Sequence, residues 1–222
     1  DNCISSSSPN DSSLPQNWLY SKQIQLNNLA KISFTNSVFK NCTAILGSTI
    51  DEISGGAVFA YGIANISFDS CQFLDLLSVN AGAINLCKCN SIFTNCLFNE
   101  CCALQNIGCI WSMGSPKYDF DCNLTIIDTN FTNNSAEKYC GAINVNLSNT
   151  TFRTCIFQNN QAKKSVGAVS LINKHLSKLN FVEFIENTCY EECPALWIQG
   201  SNDYMSEIHK ISLDTVSFFG NV

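Results

Sequence analysis

Two marks recur along this chain at fixed spacing, and together they restrict its fold more than any other feature. The first is a Phe corner at Phe39, Phe73, Phe98, Phe131, Phe157, Phe184 and Phe218, followed by a polar step and written out most fully as Phe157-Gln158-Asn159-Asn160. The second is a glycine step at Gly56-Ala57-Val58, Gly82-Ala83-Ile84, Gly108-Cys109-Ile110, Gly141-Ala142-Ile143 and Gly167-Ala168-Val169, with a degenerate Pro194-Ala195-Leu196. Corner to step is nine or ten residues in the second to sixth copies, and step to the next corner is 16 or 17 where nothing is inserted. A period of 25 to 27 residues is the signature of a repeat architecture.

The residues between the marks alternate with period two and are rich in Phe, Ile, Val and Thr, so the units are strands and not helix pairs. Three short strands and three turns in about 26 residues make one coil of a parallel β-helix. In-register stacking places each residue about 4.8 Å from its counterpart in the next coil. The expected fold is therefore all-β, a right-handed parallel β-helix (solenoid) of about seven coils. Its inner columns are legible. Phe34, Phe68, Phe93, Ile126, Phe152, Leu179 and Leu213 lie five residues before each corner, and Ser37, Cys71, Cys96, Thr129, Cys155, Val182 and Val216 lie two before. The corner asparagine (Asn160 in the fullest copy) is expected to supply the left-handed backbone of a sharp turn, and Gly167 to do the same at the second corner. The alanine after that glycine suits a crowded interior.

The paired tetrapeptides, with Gly55-Gly56-Ala57-Val58 and Phe157-Gln158-Asn159-Asn160 the closest matches, resemble the GGAI and FxxN repeats of chlamydial polymorphic outer membrane proteins and of related β-helix surface proteins of protists. The resemblance spans residues 30 to 222 as a pattern. It implies a right-handed β-helix and, in the bacterial family, a passenger domain that works in adhesion ahead of a membrane barrel. No barrel is visible here, and the cysteines and sequons favour a eukaryotic surface protein built on the same logic.

Charged residues make up 14% of the chain against a typical value of about 25%, and the net charge is -6 with a single arginine, Arg153. That balance excludes a nucleic-acid partner, which needs clustered Lys and Arg. Fourteen cysteines point to an oxidising compartment. Metal clusters are disfavoured because His175 and His209 lie near none of the cysteine pairs, so no metal and no cofactor is expected. Cys71 and Cys96 share a column in adjacent coils and are disulfide candidates, with a stacked free-thiol ladder as the alternative; Cys189 and Cys193 flank a turn they could close. Sequons at Asn10, Asn41, Asn65, Asn123, Asn130, Asn133, Asn146 and Asn149 suit a secreted, N-glycosylated protein at the cell surface. Asn130 precedes the inward Phe131, so it is expected to point outward. No apolar run reaches the length of a membrane span.

Residues 1–28 read as a Ser/Pro-rich arm and cap, and 29–222 as the β-helix, incomplete or capped by a neighbour at its C-terminal end. Extra residues around 44–54, 112–122 and 200–208 mark side loops, the second and third on one arc. A polysaccharide lyase or hydrolase needs acids or bases stacked beside a groove. The column Asp69, Thr94, Ile127, Arg153, Asn180 does not align them, and Asp119, Asp121 and Asp128 belong in or beside a solvated loop. No catalysis is expected. The sequence reads as a structural extracellular glycoprotein, a coat or filament subunit assembling end to end through stacked β-helices; an adhesin using its side loops is the alternative, and a carbohydrate-active enzyme a third.

Overall fold

The computed structural model describes residues 24–27, 31–44, 55–63, 65–114, 122–173, 176–200 and 210–222. Every element in them is a β-strand and every pairing is parallel, so the chain winds as a parallel β-helix. Three sheets run along its axis. Sheet A has seven strands: Ile24–Asn27, Val58–Tyr61, Ile84–Cys87, Ile110–Met113, Ile143–Asn146, Val169–Asn173 and Leu196–Gly200. Sheet B holds the Phe corners and is bent. Its rungs start as two short strands each, such as Lys31–Thr35 with Val38–Lys40, and end as continuous ones, Asn149–Gln158, Leu176–Ile185 and Lys210–Phe219. Sheet C is a ladder of two-residue strands from Thr43–Ala44 to Thr188–Cys189.

The register is that of the repeat. Phe39, Phe73, Phe98, Phe131, Phe157, Phe184 and Phe218 are successive partners in sheet B. Their rings stack nearly parallel, with centroids 4.4 Å apart at Phe73–Phe98 and 5.1 Å at Phe184–Phe218. The second column, Phe34–Phe68–Phe93, stacks at 5.0 and 4.8 Å, and its rings meet the first column edge-on, as at Phe68–Phe73. Phe68, Phe73 and Phe98 thus each have stacked partners above and below and an edge contact to the side, geometries that aromatic quadrupoles favour. Burying such a ring contributes about 1.5–3 kcal/mol.

Three of the bends in a coil are made by residues with left-handed backbone. Among the described residues, 15 non-glycine residues have positive φ, between 48° and 57°. They fall in three columns. One is the kink within sheet B (Asn36, Ser70, Asn95, Asp128, Thr154, Phe181, Thr215); a second follows the Phe corner (Asn41, Asp75, Glu100, Asn133, Asn159, Glu186, then Gly220); the third follows sheet A (Gly62, Lys88, Leu147). This corrects one sequence expectation. The left-handed residue is Asn159, and Asn160, the last residue of Phe-x-x-Asn, faces inward and is fully buried.

A second correction concerns the glycines. None of the glycine-step residues Gly56, Gly82, Gly108, Gly141 and Gly167 has positive φ. They are required for space. A Cβ on Gly141 would fall inside the envelope of the Gly167 carbonyl oxygen and 2.7 Å from Gln161 N, and the other four meet the next coil in the same way. Each donates its N–H to that coil, as Gly108 N to Cys140 O at 2.8 Å, so the backbones approach where a side chain would stand.

Ile24–Asn27 is the first strand of sheet A, paired in register with Val58–Tyr61, with Leu26 buried in the core. These residues belong to the first coil because their apolar side chains fill the end of the same core. Residues 1–23 lie outside the described residues, as do most residues of the three side insertions. In the chain, the second and third insertions each follow a strand of sheet A and precede one of sheet B.

Candidate functional site

The inward residue after each left-handed turn is the polar element of the core. Where the backbone bends, carbonyls tip toward the interior and need a donor. In the kink column Cys71 Sγ lies 3.4 Å from Asp69 O and 3.5 Å from Phe34 O of the coil below. Cys96 and Cys155 repeat the arrangement, and Thr129 bonds Ile127 O at 2.8 Å. At the Phe corner the same place is taken by Cys42, Leu76, Cys101 and then four asparagines. Those asparagines form a buried amide ladder. Asn134 gives its N–H and Nδ2 to Asn160 Oδ1 at 3.2 and 2.9 Å, Asn160 gives the same pair to Asn187 Oδ1, and Asn187 gives them to Asn221 Oδ1. Each Nδ2 also donates back to the Phe carbonyl of the coil below, as Asn160 to Phe131 O at 3.0 Å.

This changes how the cysteines read. Cys71, Cys96, Cys189 and Cys193, the disulfide candidates, are free thiols in the structure. The adjacent-coil geometry aims the Cys71 and Cys96 sulfurs at carbonyls, which a thiol can satisfy and a disulfide cannot. The neighbouring thiols shift each other: Cys96 lowers Cys71 to about 7, and Cys71 raises Cys96. Burial pushes Cys89, Cys140 and Cys155 up to about 12, so these thiols stay neutral and unreactive near pH 7. Cys193 Sγ lies 3.2 Å from Leu196 O. Cys42 alone among the described cysteines is disulfide-bonded.

The sequons occupy the outside. Asn41, Asn65, Asn123, Asn130 and Asn133 are exposed, Asn146 and Asn149 half-exposed, and Asn10 lies outside the described residues. Asn130 points outward as expected. Asn65, Asn90, Asn123 and Asn149 share one outer column, where Asn149 Nδ2 bonds Asn123 Oδ1 at 3.3 Å and Asn123 Nδ2 bonds Asn90 Oδ1 at 3.1 Å. Asn41 and Asn133 are themselves left-handed corner residues.

The outer column Thr35, Asp69, Thr94, Ile127, Arg153, Asn180, Asp214 is in register as the repeat predicts, and it separates Asp69 from Arg153 by three coils. Asp128 sits in the kink; Asp119, Asp121, His175 and His209 lie outside the described residues. Among the described residues no cluster of His, Cys, Asp or Glu is placed to hold a metal ion. Two open grooves run along sheet B. One of about 610 Å³ follows the outer asparagine column beside Lys31 and Ile92. The other, about 360 Å³, follows the kink past Asp128, Thr154, Ile156, Phe181 and Glu183. Phe181 is an aromatic residue with φ 55° and an exposed ring, an unusual conformation for its type.

The strongest departure from a closed fold is at the last rung. Leu213 and Phe218 are 53% and 51% exposed, whereas Leu179 and Phe184, one coil below in the same columns, are 0% exposed. Lys210–Phe219 pairs with Leu176–Ile185 on one side and, among the described residues, with nothing on the other. Among the described residues no helix is long and apolar enough to cross a membrane. Compared with known proteins, the chain matches no family model, no curated protein and no solved structure.

Proposed function

We propose that this protein is a structural subunit of an extracellular coat or filament. The observation that carries the reading is the parallel β-helix itself, whose three sheets and stacked Phe column run through successive coils as one continuous core. The eight sequons and the disulfide at Cys42 support an extracellular setting, and the low charge leaves glycans and neutral amides to keep the outer surface solvated.

The test is association. The chain is expected to self-associate in sedimentation velocity. A chain that stays monomeric at all concentrations would overturn the coat or filament reading. Material from a secretory host is expected to lose mass on N-glycosidase treatment and to lack two hydrogens for each disulfide formed; unchanged mass would overturn the glycoprotein reading.

A second reading, an adhesin that binds through its flank, draws on the kink groove with the exposed Phe181 ring, a feature the core does not need.

A further inference from the structure

We propose that the groove along the kink of sheet B is the bed of this protein's own N-glycan: the sugar carried by Asn130 runs up the groove and packs its first two N-acetylglucosamine units against the exposed Phe181 ring. This rests on the reading of the chain as an N-glycosylated protein, and names one occupied sequon and what holds its glycan.

Two properties single out Phe181. It is the one apolar member of the kink column, whose other members are Asn, Ser, Asp and Thr. A bulky residue at φ 55° is strained. Nor does the core hold the ring there by packing. Phe181 is 56% exposed, while Phe184, three residues later on the same strand, is fully buried. An aromatic side chain kept in solvent on a strained backbone points to a contact outside the core.

The groove joins that ring to a sequon. Its volume is about 360 Å³, and Asn130 forms part of its wall with Asp128, Thr154, Ile156, Phe181 and Glu183. Asn130 begins the sequon Asn130-Phe131-Thr132 and is exposed, with Phe131 buried beside it. Ile156 is its partner one coil up, and Glu183 is the partner of Ile156, so the path from Asn130 reaches the rung of Phe181 in two coils. Two coils are about 10 Å, the reach of the two N-acetylglucosamine units that begin an N-linked glycan. The Asn130 side chain makes no hydrogen bond among the described residues, so the Nδ2 that bonds the sugar is available. By contrast Nδ2 of Asn123, Asn133 and Asn149 each donates to a neighbouring asparagine. The walls suit a neutral sugar. The negative face of an aromatic ring attracts the C–H face of a pyranose, and Ile156 is a half-buried apolar floor. Asp128, Thr154 and Glu183 are exposed and accept from sugar O–H and acetamido N–H groups. Among the described residues no Lys or Arg lines the groove, which disfavours an anionic occupant.

The experiment uses the intact chain from a secretory host. Peptide mass spectrometry reads the occupancy of each sequon, and an endoglycosidase that cuts between the two N-acetylglucosamine units is applied to the folded protein. Asn130 is expected to be occupied, and its glycan to be cut several-fold more slowly, up to roughly tenfold, than in Phe181→Ser, the range of one aromatic contact. Serine stands in this column at Ser70, so the variant puts in a residue the kink accepts. Glycans at the other sequons are expected to be cut at the same rate in both proteins, which reports that the two are folded alike. Equal cutting at Asn130 in both proteins would overturn the proposal and leave the glycoprotein reading intact, as would an empty Asn130 beside occupied sequons elsewhere. No sugar at any sequon would overturn both. Free chitobiose, the disaccharide of N-acetylglucosamine, separates the chain's own glycan from an outside ligand. Saturation-transfer NMR showing that it binds the glycosylated wild type as well as it binds Asn130→Gln would mean the groove is open, and would also overturn the proposal.

Discussion

Gly141→Ala is expected to destabilise the protein by at least about 4 kcal/mol, in the range reserved for severe core disruptions. The cause is steric and local. The new Cβ would overlap the Gly167 carbonyl and sit 2.7 Å from Gln161 N, and both are backbone atoms held in inter-coil ladders. Relief requires two coils to separate, which breaks the bond from Gly141 N to Val166 O at 3.0 Å and the stacking of neighbouring columns. A change at Gly220 makes the contrast. That glycine has φ 59° and open surroundings, with only Glu186 Cγ, at 3.3 Å, near the place a Cβ would take. Asparagine tolerates that backbone, so Gly220→Asn is expected to cost less than about 1 kcal/mol. Denaturant midpoints of the two variants separate the causes. A cost for Gly141→Ala as small as that for Gly220→Asn would mean the coils do not approach as closely as the column implies.

Asn160→Leu is the second large effect, expected at roughly 3–6 kcal/mol. The residue is fully buried in the middle of the amide ladder. Leucine fits the position in shape, since Leu76 occupies the same column two coils below Asn134. It strands three buried groups: the Asn134 N–H, the Asn134 Nδ2 hydrogen and the Phe131 carbonyl. An unsatisfied buried polar group costs about 1–3 kcal/mol. The asymmetry is testable by equilibrium unfolding. The paired change Asn134→Leu/Asn160→Leu is expected to cost less than the sum of the two single changes, because each removes partners the other leaves stranded. Strict additivity would show that the amides do not act as one ladder.

The amide ladder also shows where sequence reasoning stopped. Phe157-x-x-Asn160 is conspicuous as a motif, and asparagine at a turn ordinarily signals left-handed backbone. The next residue back, Asn159, takes that role, and a one-residue shift turns Asn160 from solvent to core. Composition carried no warning, because Asn159 and Asn160 are the same residue type. The cysteines left two readings open for a related reason. An even count in a chain rich in sequons reads as a disulfide framework, while Cys71, Cys96, Cys101 and Cys155 stand where Thr129, Asn134 and Asn160 stand in other coils. The shared property is a small inward donor facing tipped carbonyls, which only the backbone path reveals.

The period, the sheets' parallel sense and the inner Phe columns were determined by the amino-acid sequence alone. In-register stacking forces each residue to pack on its own counterpart, so the requirement for a Phe at one coil is written again at the next. The tertiary structure alone decided which residue of each corner turns left-handed, and that the glycines make room and not turns. Those facts depend on distances between backbones of neighbouring coils and on the direction of single N–H and C=O groups. A repeat in sequence shows which residues share a column, and carries no measure of how closely the column's members approach.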